Sequence, residues 1–247
     1  MSNPDKIPYP TVDQAWDSCR RDKAEGARLA RQSLDENPAE IDAFVILALC
    51  SPCRAERIGL LREGMRLGEI EHAVRLAEPD DHTFWADVDS RPYMRAVHNL
   101  ILDLWKSGTD DHRREAVRLA DHLLRINPRD NQGIRFLLMK WLPVLERWDA
   151  LARLLSQLRD DDRTETKYTR ALVAYRMQED DADDLLAEAV DLNPYVPAMI
   201  KGKRPADPMG DSVAFRSREE AASYAHDAHP IWDKVPGARA WIAKHAR

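Results

Sequence analysis

Asn127-Pro128-Arg129-Asp130-Asn131-Gln132-Gly133-Ile134-Arg135 separates two amphipathic helical patterns. Its opening Asn-Pro pair recurs at Asn37-Pro38 and Asn193-Pro194. Proline disfavours helical backbone in the residue before it, so each pair reads as a helix stop. Each follows Ala and Leu at helical spacing: Ala27, Ala30 and Leu34; Ala116, Leu119 and Leu123; Leu186 and Ala189. A stop repeated after similar helices predicts a chain built from stacked helical hairpins.

Around that stretch the pattern is regular. Met94, Val97, Ile101 and Leu104 form one apolar stripe. Gly108 ends this helix, and Thr109 and Asp110 cap the next, which runs to Ile126. A third helix carries Ile134, Leu137, Leu138, Trp141, Leu142 and Leu145, with Pro143 placed to kink it or end it early. Residues 148–158 supply its partner. Tyr168, Ala171, Leu172 and Tyr175 mark a further helix, paired with residues 183–192. Each helix pair has about the length of a tetratricopeptide unit, roughly 34 residues.

The flanks are less regular. Residues 12–35 and 41–49 read as helices, and Pro52 suits the first turn of a helix over 55–76. That helix carries Gly59, Gly64 and Gly68 on nearly one side, which allows close helix approach. Residues 78–90 read as an acidic loop with Phe84 and Trp85, and 201–211 as a surface loop. Ser217-Arg218-Glu219-Glu220 matches a capping box opening a helix to about His226, and a short helix with Trp241 closes the chain. The expected fold is all-α: a tetratricopeptide-like α-solenoid of antiparallel helix pairs with a C-terminal helical cap. Its sections are an irregular 1–90, three hairpins over 91–197, and a loop with cap over 198–247, in one continuous domain. The tail is expected to cover the last repeat.

Composition narrows the function. Over 247 residues, 44% hydrophobic and 32% charged is globular, and a net charge of −6 with interspersed Lys and Arg does not make a nucleic-acid footprint. The polar, proline-bearing N-terminus has no apolar signal core, and no apolar run reaches the roughly 18 residues of a membrane span. Three cysteines do not form a secreted disulfide framework. A cytoplasmic protein without membrane or nucleic-acid partners is expected.

The chain resembles a tetratricopeptide-like helical family that includes the suppressor of tumorigenicity 7 proteins and many bacterial homologues. The resemblance rests on Ser90-Arg91-Pro92-Tyr93-Met94-Arg95-Ala96, on the Asn127 to Arg135 stretch, on Asn193-Pro194-Tyr195-Val196-Pro197, and on the stretch from Ser217 to Trp241. It spans roughly residues 15–241 and is most specific over 91–197. It implies a helical-repeat fold and brings no catalytic residues.

Candidate chemistry is sparse. Cys50-Ser51-Pro52-Cys53 has the spacing of a dithiol or of half a metal site. A redox centre needs a strand-to-helix setting, whereas this motif follows a helix; a zinc site would require Cys19 and a fourth ligand such as His72. His226 and His229 share a helix face and read as solvated surface residues. The acidic run Glu179-Asp180-Asp181-Ala182-Asp183-Asp184 lacks an EF-hand's glycine and distal glutamate, and suits a helix N-terminus. No phosphate loop, GxSxG elbow or HExxH is present. Most of the seven tryptophans occupy core positions; Trp85 and Trp232 are the expected exposed anchors.

Arg91, Tyr93, Arg95, Asn131 and Arg135 open two successive helices, on the face that is concave in repeat folds. They suit an acidic or C-terminal peptide held through bidentate arginine contacts. The same residues also suit a polar network, with Arg91 on carbonyls of residues 87–89 and Asn131 capping its own helix. The expected function is a non-catalytic interaction scaffold, without cofactor, that binds a partner peptide or protein in a groove. The alternative is a metal- or redox-active helical protein built on Cys50 and Cys53.

Overall fold

The computed structural model describes residues 11–78, 84–206 and 213–245. The proline-bearing N-terminus and parts of the loops over 78–90 and 201–211 lie outside these. Among the described residues the regular structure is all helix, and no helix is long and apolar enough to cross a membrane. Chain contacts divide the molecule into two compact units, Met1–Ile134 and Arg135–Arg247.

The first unit holds α1 (Thr11–Cys19), α2 (Lys23–Glu36), α3 (Ile41–Cys50), α4 (Arg54–Glu71), α5 (Ala73–Ala77), a 3-10 turn (Val88–Ser90), α6 (Arg91–Ser107) and α7 (Asp110–Ile126). α1 packs on α2, α2 on α3, α3 on α4, α4 on α6, and α6 on α7. The stripe of Met94, Val97, Ile101 and Leu104 is fully buried. Gly108 takes φ +82°, and Thr109 Oγ1 accepts the His112 N–H at 3.3 Å, so one corner ends α6 and starts α7.

Residues 12–35, read from sequence as one helix, are two. Asp22 breaks them: its Oδ1 accepts the N–H groups of Ala24 and Glu25, capping α2 and ending α1 before it. The helix expected over 55–76 likewise breaks at His72, and Pro52 lies outside its first turn. Of the three glycines, two face α6. A Cβ on Gly64 would lie 3.3 Å from that of Ala96, and one on Gly68 would strike the Tyr93 side chain. Gly59 meets nothing within 4 Å, because five residues rather than four separate it from Gly64 and turn it to another side.

The Asn-Pro stops share one geometry. Asn37, Asn127 and Asn193 have φ of −139°, −138° and −140°, the extended backbone that the following proline imposes. Each still donates its N–H four residues back, to Ser33, Leu123 and Ala189, at 2.8–3.0 Å. The last helical bond forms and the chain then turns away.

The second unit begins one residue into α8 (Ile134–Val144) and contains α9 (Trp148–Ser156), α10 (Thr164–Met177), α11 (Ala182–Leu192), α12 (Val196–Lys201), α13 (Arg218–Lys234) and α14 (Ala238–Ala243). α10 is its centre, packing on α9, α11, α13 and α14, while α12 packs on α13 and α14. Pro143 ends α8 within one residue; Glu146 then takes φ +55° and the Arg147 N–H reaches the Leu142 carbonyl.

α13 runs two turns beyond His226, through Pro230. This places Trp232 in the core rather than at the surface: it is fully buried and donates Nε1–H to the Tyr224 hydroxyl at 3.0 Å. Trp85 is half-buried. His229 is not solvated either; its Nε2 bonds the Met199 carbonyl.

Candidate functional site

The start of α6 is fixed from the 3-10 turn before it. Ser90 is fully buried and its hydroxyl donates to the carbonyls of Asp87 and Phe84. Arg91 lays its guanidinium over the Trp85 ring at 5.3 Å and donates Nε–H to the Trp85 carbonyl at 3.3 Å. Tyr93 is entirely buried, edge-on to Phe84 and His72, with its hydroxyl 2.8 Å from His122 Nε2. Burial pushes its phenol well above the usual range. Arg95 reaches back to α3 and grips Asp42 with two bonds, Nε to Oδ1 at 2.9 Å and Nη2 to Oδ2 at 2.5 Å. Trp16 of α1 lies beneath the same guanidinium at 5.8 Å. These three residues thus join α6 to the rest of the first unit.

Asn131 is exposed on the loop after α7. It does not cap α8. Asp130, at φ +51°, does so, accepting the Ile134 N–H on Oδ1 at 2.6 Å. Short polar side chains tolerate this left-handed backbone, and either neighbour had the right chemistry. Gln132 ties the loop down by donating to the Met94 carbonyl.

Arg135 belongs to the second unit, where it lines a cleft of about 620 Å³ with Arg163, Arg216, Phe215, Asp160 and Asp162. Phe215 is 77% exposed, the most solvent-facing aromatic ring among the described large hydrophobics. Its position follows from the start of α13. Ser217 Oγ accepts the Glu220 N–H at 3.0 Å, the forward half of a capping box. Glu220 then accepts the Arg216 N–H at 2.7 Å, which holds Arg216 at φ +59° and leaves the Phe215-Arg216 pair projecting. The Glu220 carboxylate also takes the Thr164 hydroxyl and the Asn193 side-chain amide, so this rim is anchored to α10 and to the third Asn-Pro stop.

Beside the cleft, Lys140 lies 2.5 Å from Asp227 and 3.6 Å from Glu165. Burial pushes the Glu165 carboxyl above the usual carboxylate range, against the pull of Lys140. At Lys140, burial favours the neutral amine, but the two carboxylates outweigh it and hold the ammonium. The arrangement places one cation between two acids.

The cysteines do not pair as their spacing suggested. Cys53 is exposed as the N-cap of α4, whereas Cys50 ends α3 and turns inward to Cys19, with the two sulfurs 3.1 Å apart. His72 packs among aromatic rings. Among the described residues no group of three or more His, Cys, Asp or Glu is placed to hold a metal ion.

Of the five residues expected in a groove, Arg135 lines this cleft, whereas no motif in the sequence pointed to Phe215, Arg216, Arg163 or the Lys140 cluster. The capping box signalled where α13 begins, yet nothing local marked the two residues before it as exposed. No protein-family model matches the chain, and no curated protein matches it.

Proposed function

We propose that the chain is a cytoplasmic, non-catalytic scaffold of tetratricopeptide-like antiparallel hairpins with a C-terminal helical cap, related to the suppressor of tumorigenicity 7 family. The recurrence of the Asn-Pro stop at the ends of α2, α7 and α11 supports the repeat reading, each stop keeping its last helical bond before the chain turns away. The partner is a protein segment carrying a carboxylate next to an apolar side chain.

The observation that carries this reading is the cleft where exposed Phe215 stands among Arg135, Arg163 and Arg216. A protruding aromatic offers apolar area at low entropic cost, and guanidinium groups receive carboxylates in bidentate fashion. Asp160, Asp161, Asp162 and Glu220 line the same cleft and disfavour a purely acidic ligand, so the segment should be of mixed character.

The test is selection of displayed random peptides on the immobilised full chain, followed by calorimetric titration of the winners. Phe215→Ala and Arg216→Ala should each weaken binding about tenfold without lowering the melting temperature. Failure to enrich any peptide, or affinities that neither substitution changes, overturns the proposal.

A further inference from the structure

We propose that Cys19 and Cys50 form a reversible disulfide by exchange with a low-molecular-weight disulfide, leaving Cys53 a free thiol. The two sulfurs already lie 3.1 Å apart, inside van der Waals contact and about 1 Å beyond a disulfide bond length. Both residues end their helices, α1 and α3. Their positions are set by packing. A Cβ on Gly26 of α2 would lie 2.6 Å from the Cys19 Cα, so the glycine seats the end of α1 directly on α2. Both sulfurs pack against the cluster of Ala15, Leu29, Ala30, Ala43 and Ile46.

The corner after Cys50 keeps Cys53 apart. Ser51 Oγ accepts the Cys53 N–H at 3.1 Å and donates to Glu56 at 2.6 Å, while Arg57 donates to the carbonyls of Ser51 and Pro52. Arg57 is itself held by Asp103 of α6. A four-residue stretch that ends one helix and starts the next thus turns one thiol inward and the other to solvent.

The chemistry is two successive exchanges. A thiolate at Cys19 attacks one sulfur of the small disulfide, forming a mixed disulfide and expelling a small thiolate. Cys50 then gives up its proton, and its sulfur attacks Cys19 Sγ, expelling the second small thiolate. Two protein thiols are oxidised, one small disulfide is reduced to two thiols, and the released protons end on those thiols. Burial, and then the adjoining Cys19, push the Cys50 thiol up to about 12. Burial of Cys50 persists in the mixed disulfide, so ring closure accelerates as pH rises. The product locks α1 to α3 across 31 residues of chain.

The experiment equilibrates the full chain in mixtures of reduced and oxidised glutathione, traps free thiols by alkylation, and maps cross-links by digestion and mass spectrometry. The expected product joins Cys19 to Cys50, survives in Cys53→Ser and is absent in Cys50→Ser. Its formation constant should be about a hundredfold larger in the native chain than in urea, because folding supplies the alignment. A main product joining Cys50 to Cys53, accumulation of mixed disulfides alone, or equal constants in native and unfolded chain overturns the proposal.

Discussion

Arg204 donates its Nε–H to the carbonyl of His226 at 2.7 Å, the carbonyl that Pro230 leaves without a helical partner four residues on. A proline inside a helix removes one such bond and crowds the carbonyl before it. Here a guanidinium from the preceding loop takes the place of the missing N–H. His226 adds to the arrangement, its Nδ1 lying 3.0 Å from the Pro205 carbonyl. Arg204→Ala should therefore cost about 1 kcal/mol, the net worth of a solvent-accessible hydrogen bond. In a Pro230→Ala background the backbone supplies the donor, and the same substitution should cost less. A double-mutant cycle in urea checks this, and a coupling energy of zero would refute the compensation.

The glycines of α4 predict opposite signs on one helix. Gly68→Ala drives a methyl into the buried Tyr93 side chain and should destabilise by about 1–3 kcal/mol through overpacking. Gly59→Ala meets nothing and should stabilise by up to about 1 kcal/mol through helix propensity. Thermal melts of the two variants decide it, and shifts of the same sign would sink the argument.

What was legible in the sequence was what local chemistry controls. Proline acts on the residue beside it, so Asn37, Asn127 and Asn193 announced their helix ends, and the apolar stripe of α6 announced its buried face. What was illegible depends on partners distant in sequence. Nothing near Pro230 reveals that Arg204 rescues the helix, so the local pattern ends it near His226 and leaves Trp232 outside a core it occupies. Nothing near Cys50 favours Cys19 over Cys53, since periodicity states that a side chain faces inward but not what it meets. The candidate cleft is the same case. Arg135 was legible as a helix-start arginine, whereas Phe215 and Arg216 became visible only through the Glu220 carboxylate that holds them out.

His98 and His122 set an acid limit on the first unit. Burial lowers both imidazole pKa values; Asp130 opposes it at His98, and Arg125 adds to it at His122. Arg125 can only donate, so it occupies His122 Nδ1 as acceptor and leaves Nε2–H for the Tyr93 hydroxyl oxygen. A depressed imidazole binds fewer protons folded than unfolded. Its contribution to stability is complete above the ordinary value of 6.5 and is lost as pH falls below it and through the folded value. The melting temperature should fall between pH 7.5 and 5, and His122→Gln should fall less steeply over that window. Identical pH slopes for the two proteins would exclude His122 as a cause.

Arg95 and Asp42 decide whether the start of α6 is a framework or a free surface. The carboxylate is nearly buried, at 10% side-chain exposure, and the guanidinium is more open at 39%. Two parallel bonds and the Trp16 ring hold the pair, so a ligand would have to displace an existing carboxylate to reach Arg95. Arg95→Met keeps the apolar stem and deletes the charge, which strands Asp42 without its cation. The cost should be about 2–3 kcal/mol, below that of a fully buried pair because the arginine is partly hydrated. Adding Asp42→Leu removes the stranded charge and should recover most of that loss. Urea unfolding of the single and double variants tests this. If Arg95→Met retains full stability, the pair does not hold α6 in place, and Arg95 is free to serve a partner instead.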